Sequence, residues 1–172
     1  MTQIDTVDTK PRRADFPQRA DIHELRTGPN FSMAHVGGPE TLARYGVRHP
    51  AVGQTIAGKV FLHETLGLTA MEISFGILPP QTSIPFFHKH KQNEEVYLFI
   101  NGEGQFRVDD DIMPIREGTA VRVAPDGVRS CRNTSDTPMF YICIQAKSGS
   151  LEQWTGTDGV GVPGEVTWPE AS

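Results

Sequence analysis

The sequence has 172 residues, a formal net charge of -5 and a hydrophobic fraction of 37%. That length suits one domain with terminal extensions, and a core of this size folds without disulfides or a structural metal. The acidic balance and the lack of any run of five like charges argue against nucleic acid or an anionic membrane surface as a partner. We therefore expect a protein that acts on a small molecule.

The N-terminal third is predicted to be an arm with one short helix, over residues 1–55. Residues 1 to about 30 are rich in charge, Pro and Thr and show no sustained apolar period, which indicates a flexible arm. Pro39 to Tyr45, followed by Gly46, has proline at a plausible first helical position and glycine as a stop. The start of the chain has no basic and apolar leader, and no stretch approaches a membrane span, so we expect a cytoplasmic location.

From residue 57 to 147 the pattern changes to short runs of β-branched and aromatic residues separated by turns. The predicted strands are Lys59 to Glu64, Met71 to Leu78, Val96 to Ile100, Gln105 to Val108, Ala120 to Val123 and Met139 to Ile144. Strands at a spacing near ten residues indicate an all-β sandwich or small barrel, which we assign to residues 56–148. The tail, 149–172, carries Trp154 and Trp168, for which we expect packing on the barrel, or else a dimer contact.

The pattern His88-Lys89-His90 followed by Glu95 is the strongest clue to function. Side chains alternate along a strand, so His88 and His90 point the same way with backbones about 6.6 Å apart. A short polar turn would then return Glu95 on the next strand. Two histidines and one carboxylate suit a divalent ion such as iron, manganese, zinc or nickel. The alternative is a pair of surface histidines before a charged turn.

Several other side chains are candidates for the same cavity. Tyr97 shares parity with Glu95 and could present its hydroxyl to a ligand, with core packing as the alternative. Gln145 on the last strand and His63 on the first are candidate ligand contacts, while Glu94 should face away from Glu95. Cys131 and Cys143 are interpreted as small buried thiols, or as a redox couple if their strands pair.

The spacing of these residues resembles the first motif of the cupins, G-x5-H-x-H-x3,4-E-x6-G. His88, His90, Glu95 and Gly102 match this motif, while Gln81 or Thr82 stands where its leading glycine is expected. The second motif, G-x5-P-x-G-x2-H-x3-N, is matched in part by Gly118, Pro125 and Asn133. The position of its histidine holds Arg129, Ala124 takes the first proline position, and Gly127 is displaced by one.

The resemblance, which extends over residues 57–147, implies a double-stranded β-helix, a jelly-roll barrel that often forms homodimers. The fold hosts isomerases, lyases, dioxygenases and pure binding proteins, so it does not fix the reaction. Arg129 removes one family ligand, because a guanidinium has no lone pair for a metal. Either Arg129 clamps an anionic or sugar-like substrate beside a metal on His88, His90 and Glu95, or it pairs with Glu95 in a metal-free binding pocket.

Overall fold

The N-terminal part of the chain folds into short elements outside the barrel. The computed structural model describes residues 24–48, 53 and 55–170. The first elements are β1 (Glu24–Gly28), β2 (Phe31–His35), α1 (Pro39–Leu42), β3 (Gly46–Arg48) and β4 (Thr55–Ala57). β1 and β2 pair as an antiparallel hairpin around Pro29 and Asn30, two residue types that favour turns. The prediction of a flexible arm is therefore wrong for residues 24–30, and residues 1–23 lie outside the described part.

The helix α1 confirms the predicted helix start but is shorter than expected. It begins with proline in its first turn, as predicted, and ends at Leu42 instead of Tyr45. Leu42 and Tyr45 are both buried in a small apolar cluster with Val60 and Ile77. This cluster packs the N-terminal elements against the outer face of the barrel.

Two antiparallel sheets form the barrel. Its strands are β5 (Lys59–Phe61), β6 (Glu72–Leu78), β7 (Asn93–Phe99), β8 (Glu103–Val108), β9 (Asp111–Arg116), β10 (Ala120–Val123), β11 (Arg129–Asn133) and β12 (Met139–Lys147). One sheet has the order β10-β7-β12-β6-β5 and the other the order β11-β8-β9. Each of the predicted strands overlaps one of these, so the all-β expectation is confirmed. Between the sheets lies the main core, which includes Phe99, Phe106 and Tyr141.

An extended segment, residues 82–90, lies beside β11 and brings the two histidines to the barrel. The backbone N–H of Asn133 donates to Thr82 over 2.8 Å, and that of Ile84 donates to the carbonyl of Cys131 over 3.0 Å. Partly buried and exposed side chains alternate along the whole segment. The segment therefore behaves as a strand, with one side facing the interior.

Three regions of the barrel differ from the predicted strands. β9 and β11 were not among them; β9 contains Pro114, and the structure places this strand at a sheet edge, where a missing N–H is tolerated. The predicted strand Lys59 to Glu64 is wrong beyond Phe61, since residues His63–Leu66 form a second helix, α2. The carboxylate of Glu72 accepts the N–H groups of Leu62 and His63 at 3.1 and 2.9 Å, and so satisfies the start of that helix.

Beyond β12 the described residues are all exposed and include one short helix, α3 (Thr155–Asp158). Trp154 and Trp168 are 68% and 85% exposed, so the expected packing of these rings on the barrel is wrong. Within the described residues, no helix combines the length and apolar character that crossing a membrane requires.

Candidate metal centre and ligand site

His88 and His90 project from the extended segment toward the barrel interior. The backbone groups of His88 exchange hydrogen bonds with those of Arg129 on β11, at 3.0 and 3.3 Å, and the N–H of His90 donates to Pro125 over 2.9 Å. The two rings lie 5.5 Å apart at an interplanar angle of 87°. The predicted common direction of the two imidazoles is therefore confirmed.

Glu95 is on β7, in the middle of the larger sheet, and is 1% exposed. Its neighbour Glu94 points to the other side of the sheet and accepts a hydrogen bond from Nε of Arg122 over 2.8 Å. Gln145 lies directly opposite Glu95 on β12, and cross-strand partners share a face. The predicted opposite directions of Glu94 and Glu95 are confirmed.

The two carboxylate oxygens of Glu95 have different partners. Oε2 accepts hydrogen bonds from the hydroxyl of Tyr97 at 2.7 Å and from Nε and Nη2 of Arg129 at 2.9 and 2.6 Å. Oε1 lies 3.0 Å from Nε2 of His90 and 3.4 Å from the thiol of Cys143. Oε2 is thus held by Arg129 and Tyr97, with Nε2 of His88 at 3.9 Å, and Oε1 faces His90.

Arg129 is wholly buried and points inward from β11. Besides its bonds to Glu95, it donates from Nη1 to the carbonyl of Gly127 over 2.9 Å. The guanidinium therefore binds Oε2, the carboxylate oxygen that does not contact His90. This is the pairing of Arg129 with Glu95 that the sequence raised as one of two outcomes.

The charges of this group set the protonation states of Glu95 and His88. Burial acts to raise the pKa of Glu95, but its contacts with His90, Tyr97 and Arg129 outweigh burial and hold this pKa well below the ordinary value. Burial, followed by the charge of Arg129, lowers the pKa of His88 to about 4. At pH 7 Glu95 is consequently ionised and His88 is neutral, which are the forms that bind metal ions.

Comparison with solved structures identifies the family. A cupin protein from Bacteroides fragilis is 44% identical, with a TM-score of 0.59, over 61% of this chain and 89% of that one. The chain is a cupin. A family model described as the cupin domain matches residues 74–145, which include both histidines, Glu95 and Arg129. The fold is therefore the double-stranded β-helix that the motifs implied.

Two further matches have lower sequence identity and cover less of this chain. A predicted oxalate decarboxylase from Thermotoga maritima is 27% identical over 44% of this chain and 64% of that chain, with a TM-score of 0.42. An uncharacterized protein from Methanocaldococcus jannaschii is 25% identical over 64 residues, or 37% of this chain. The chain spans about half, 51%, of the length of that curated relative.

The side chains present fit a divalent metal ion. The ligand atoms of His88, His90 and Glu95 all lie within 4.8 Å of one another. Nε2 of His90 is buried and makes no aligned hydrogen bond in the described structure, although Oε1 of Glu95 lies near it. A buried ring nitrogen without a hydrogen bond is costly unless something else occupies its lone pair. A cation among these atoms would supply that partner.

The other sequence candidates have different positions. Tyr97 is 3% exposed, and its hydroxyl is engaged by Glu95 while its ring packs on Phe106. Gln145 lies beside Glu95, partly buried, and accepts a hydrogen bond from Asn93 at 3.5 Å. His63 is exposed on α2, so its expected place on an inward-facing strand is wrong. The cause is the helix that Glu72 caps.

Cys131 and Cys143 are both buried, as predicted, but their strands do not pair. The expected condition for a redox couple is therefore not met. Cys131 belongs to the apolar core, and Cys143 contacts Glu95, a contact that sequence reasoning missed. The alternation of Tyr141, Cys143 and Gln145 along β12 was the available signal, since residues two apart share a face.

Both thiols are expected to be inert in the folded protein. Burial raises the pKa of each to about 12, and the thiolate is the reactive form. With Ellman's reagent at pH 8 we expect no labelling of native protein over minutes and labelling of both cysteines in denaturant. Rapid modification of either thiol under native conditions would contradict this burial.

Proposed function

We propose that this cupin binds a divalent metal ion through His88, His90 and Oε1 of Glu95. The observation that carries the proposal is the division of the Glu95 carboxylate. Its Oε2 is held by Arg129 and Tyr97, while Oε1 faces the buried nitrogen of His90 at 3.0 Å. Three hydrogen bonds to one oxygen orient the carboxylate, and support of this kind strengthens metal ligands.

The position of Arg129 is compatible with a cation in this site. Two positive charges in a buried site repel each other, so an anion has to lie between them. Glu95 is this anion, because its Oε2 binds the guanidinium and its Oε1 faces His90. Arg129 replaces a family histidine here, and its role in this proposal is to hold and orient Glu95.

The charges at the site favour an anionic small molecule as the ligand that binds beside the metal. Glu95 and Arg129 neutralise each other and His88 is uncharged, so a divalent ion would bring an uncompensated double charge. Charged groups away from water need a partner of opposite sign. We propose a small anionic or sugar-like molecule at the mouth, near Gln145 and the exposed edges of the histidine rings.

The candidate ligand set suits several classes of reaction. A metal held by three protein side chains supplies a Lewis acid with vacant positions, which serves isomerases, lyases and dioxygenases. The described residues contribute the candidate ligands and the oriented carboxylate. A homodimer and a cytoplasmic location stay predictions, and light scattering tests the first.

A metal-free binding protein is the second candidate. The observation that favours it is the close pairing of Arg129 with Glu95, which leaves that carboxylate neutralised without a metal. In this case His88 and His90 would hydrogen-bond a sugar or sugar acid directly.

Metal analysis separates the two functions. Protein purified without a histidine tag, and reconstituted with Mn, Fe, Zn or Ni, is expected to retain near-stoichiometric metal by mass spectrometry. The double variant His88→Ala/His90→Ala should retain almost none. His63→Ala, which removes an exposed histidine outside the site, is the matched control and should bind as the wild type does. A wild type that retains no metal would reject the first function.

A further inference from the structure

Lys59 lies on the inward face of the first barrel strand. Its neighbour Val60 is fully buried in the cluster outside the barrel, together with Ile77. Successive side chains of a strand point to opposite faces, so Lys59 and Phe61 point to the inside. In the sheet, Lys59 is paired with Gly76, and Gly76 is paired with Tyr141. The lysine therefore belongs to the row of side chains that includes Tyr141.

Two aromatic rings hold the ammonium of Lys59. Its Nζ lies 5.2 Å from the ring centre of Phe61 and 5.7 Å from that of Tyr141. Gly76 makes the second contact possible, because a Cβ at this position would collide with the Tyr141 ring that lies over it. Ring faces attract a cation but accept none of its three N–H bonds strongly, so those donors stay available to a ligand.

No acidic side chain among the described residues forms an ion pair with Lys59. The inward-facing carboxylate Glu95 is paired with Arg129, and Glu72 accepts backbone N–H groups at the start of α2. Lys59 is nevertheless connected to the candidate site by contacts. Its ammonium lies against the ring of Tyr141, whose centre is 6.1 Å from that of Tyr97, and the Tyr97 hydroxyl donates to Glu95. Among the described residues, Arg129 and Glu95 offset each other and Lys59 adds a positive charge to the barrel interior before any metal is bound.

We propose that Lys59 anchors the oxyanion group of a small carboxylate or phosphate ligand whose other end faces His88 and His90. The inference rests on the proposed function for the position of that second end. An ammonium on two ring faces is preorganised, and an oxyanion supplies the charge and the acceptors that it lacks. A neutral sugar would leave the positive charge uncompensated. The ligand class is therefore narrowed from anionic or sugar-like to anionic.

The test measures anion binding to Co(II)-loaded protein from the change in the cobalt visible spectrum. The probes are malonate and inorganic phosphate, which distinguish a carboxylate from a phosphate site. Lys59→Met keeps the chain length and removes the charge, and we expect it to weaken binding of the preferred probe by about tenfold. Lys59→Arg should restore most of that loss, and the affinity for Co(II) itself should not fall in either variant.

Lys91→Met is the matched control, because Lys91 is exposed and lies next to His90 in sequence. It should bind both probes as the wild type does. The proposal is overturned if Lys59→Met binds the probes as tightly as the wild type, or if Lys59→Met and Lys91→Met lose equal affinity. It is also overturned if the wild type binds neither probe at millimolar concentration.

Failure of the metal site gives a different result from failure of the Lys59 anchor. If the wild type binds no Co(II), the proposed function fails, and the same probes are then titrated into metal-free protein by calorimetry. The anchor is supported if Lys59→Met again weakens binding about tenfold. It is overturned if the two proteins bind alike. Circular dichroism establishes beforehand that each variant is folded.

Discussion

Replacing Arg129 with methionine is expected to lower the free energy of unfolding by about 3–5 kcal/mol, since it leaves a buried carboxylate without its counter-ion. Arg129 is 0% exposed and Glu95 is 1% exposed, so water cannot take the place of the guanidinium. The variant loses two hydrogen bonds to Oε2 of Glu95 and one to Gly127. Urea unfolding followed by fluorescence measures the change.

Arg132→Met is the control for that measurement. Arg132 is on the same strand but points outward, is exposed, and donates to Gln105 over 2.8 Å. Surface contacts of this kind contribute little, so its loss should cost less than about 0.5 kcal/mol. If the two variants were equally stable, Arg129 would not be the group that compensates Glu95 in the folded protein.

The directions of the inward-facing side chains were predictable from sequence because they depend on local geometry. The alternation of side chains along a strand predicted that His88 and His90 share one face and that Glu94 and Glu95 point to different faces. This prediction needed no knowledge of the fold. The glycine seven positions after Glu95 was also informative. Gly102 has φ 78°, and a Cβ there would lie 3.0 Å from Met139. A side chain at this turn is therefore both strained and crowded.

The partners of the buried charges were harder to predict, because they depend on strands far apart in sequence. The residue type of Arg129 excluded it as a metal ligand, but both a ligand clamp and a counter-ion were consistent with a guanidinium. Only the contact between β11 and β7 side chains decides in favour of the pair with Glu95. Lys59 was missed for the same reason, since its ring contact with Tyr141 joins two strands that are not adjacent.

Some elements were predicted wrongly because interactions between distant parts of the chain override the local sequence pattern. His63 continues a run that resembles a strand, yet Glu72, nine residues later, accepts its N–H and begins a helix there. β9, which was not predicted, contains Pro114, and the proline is acceptable there because β9 lies at a sheet edge. Neither the capping carboxylate nor the edge position is visible in a short window of sequence.

Glu95→Gln should have the largest combined effect, because this one carboxylate serves both the ion pair and the candidate metal site. As a single change it leaves the buried Arg129 charge unpaired, and we expect a loss of about 3–5 kcal/mol in stability together with a loss of at least about a hundredfold in metal affinity. Glu94→Gln, on the opposite face of the same strand, should change neither property by a comparable amount.

The double variant Glu95→Gln/Arg129→Met separates the two roles of the carboxylate. Removing both charges eliminates the unpaired ion, so the double variant should be more stable than either single variant, with a coupling of several kcal/mol in the unfolding cycle. Its metal affinity should stay as low as that of Glu95→Gln. Arg129→Met alone should keep a metal affinity closer to that of the wild type than to that of Glu95→Gln, because the loss of support at Oε2 is partly offset by the loss of a repulsive charge and Oε1 of Glu95 remains. If metal affinity across the wild type and the three variants followed their stability and not the presence of Glu95, the carboxylate would act on metal binding only through the fold.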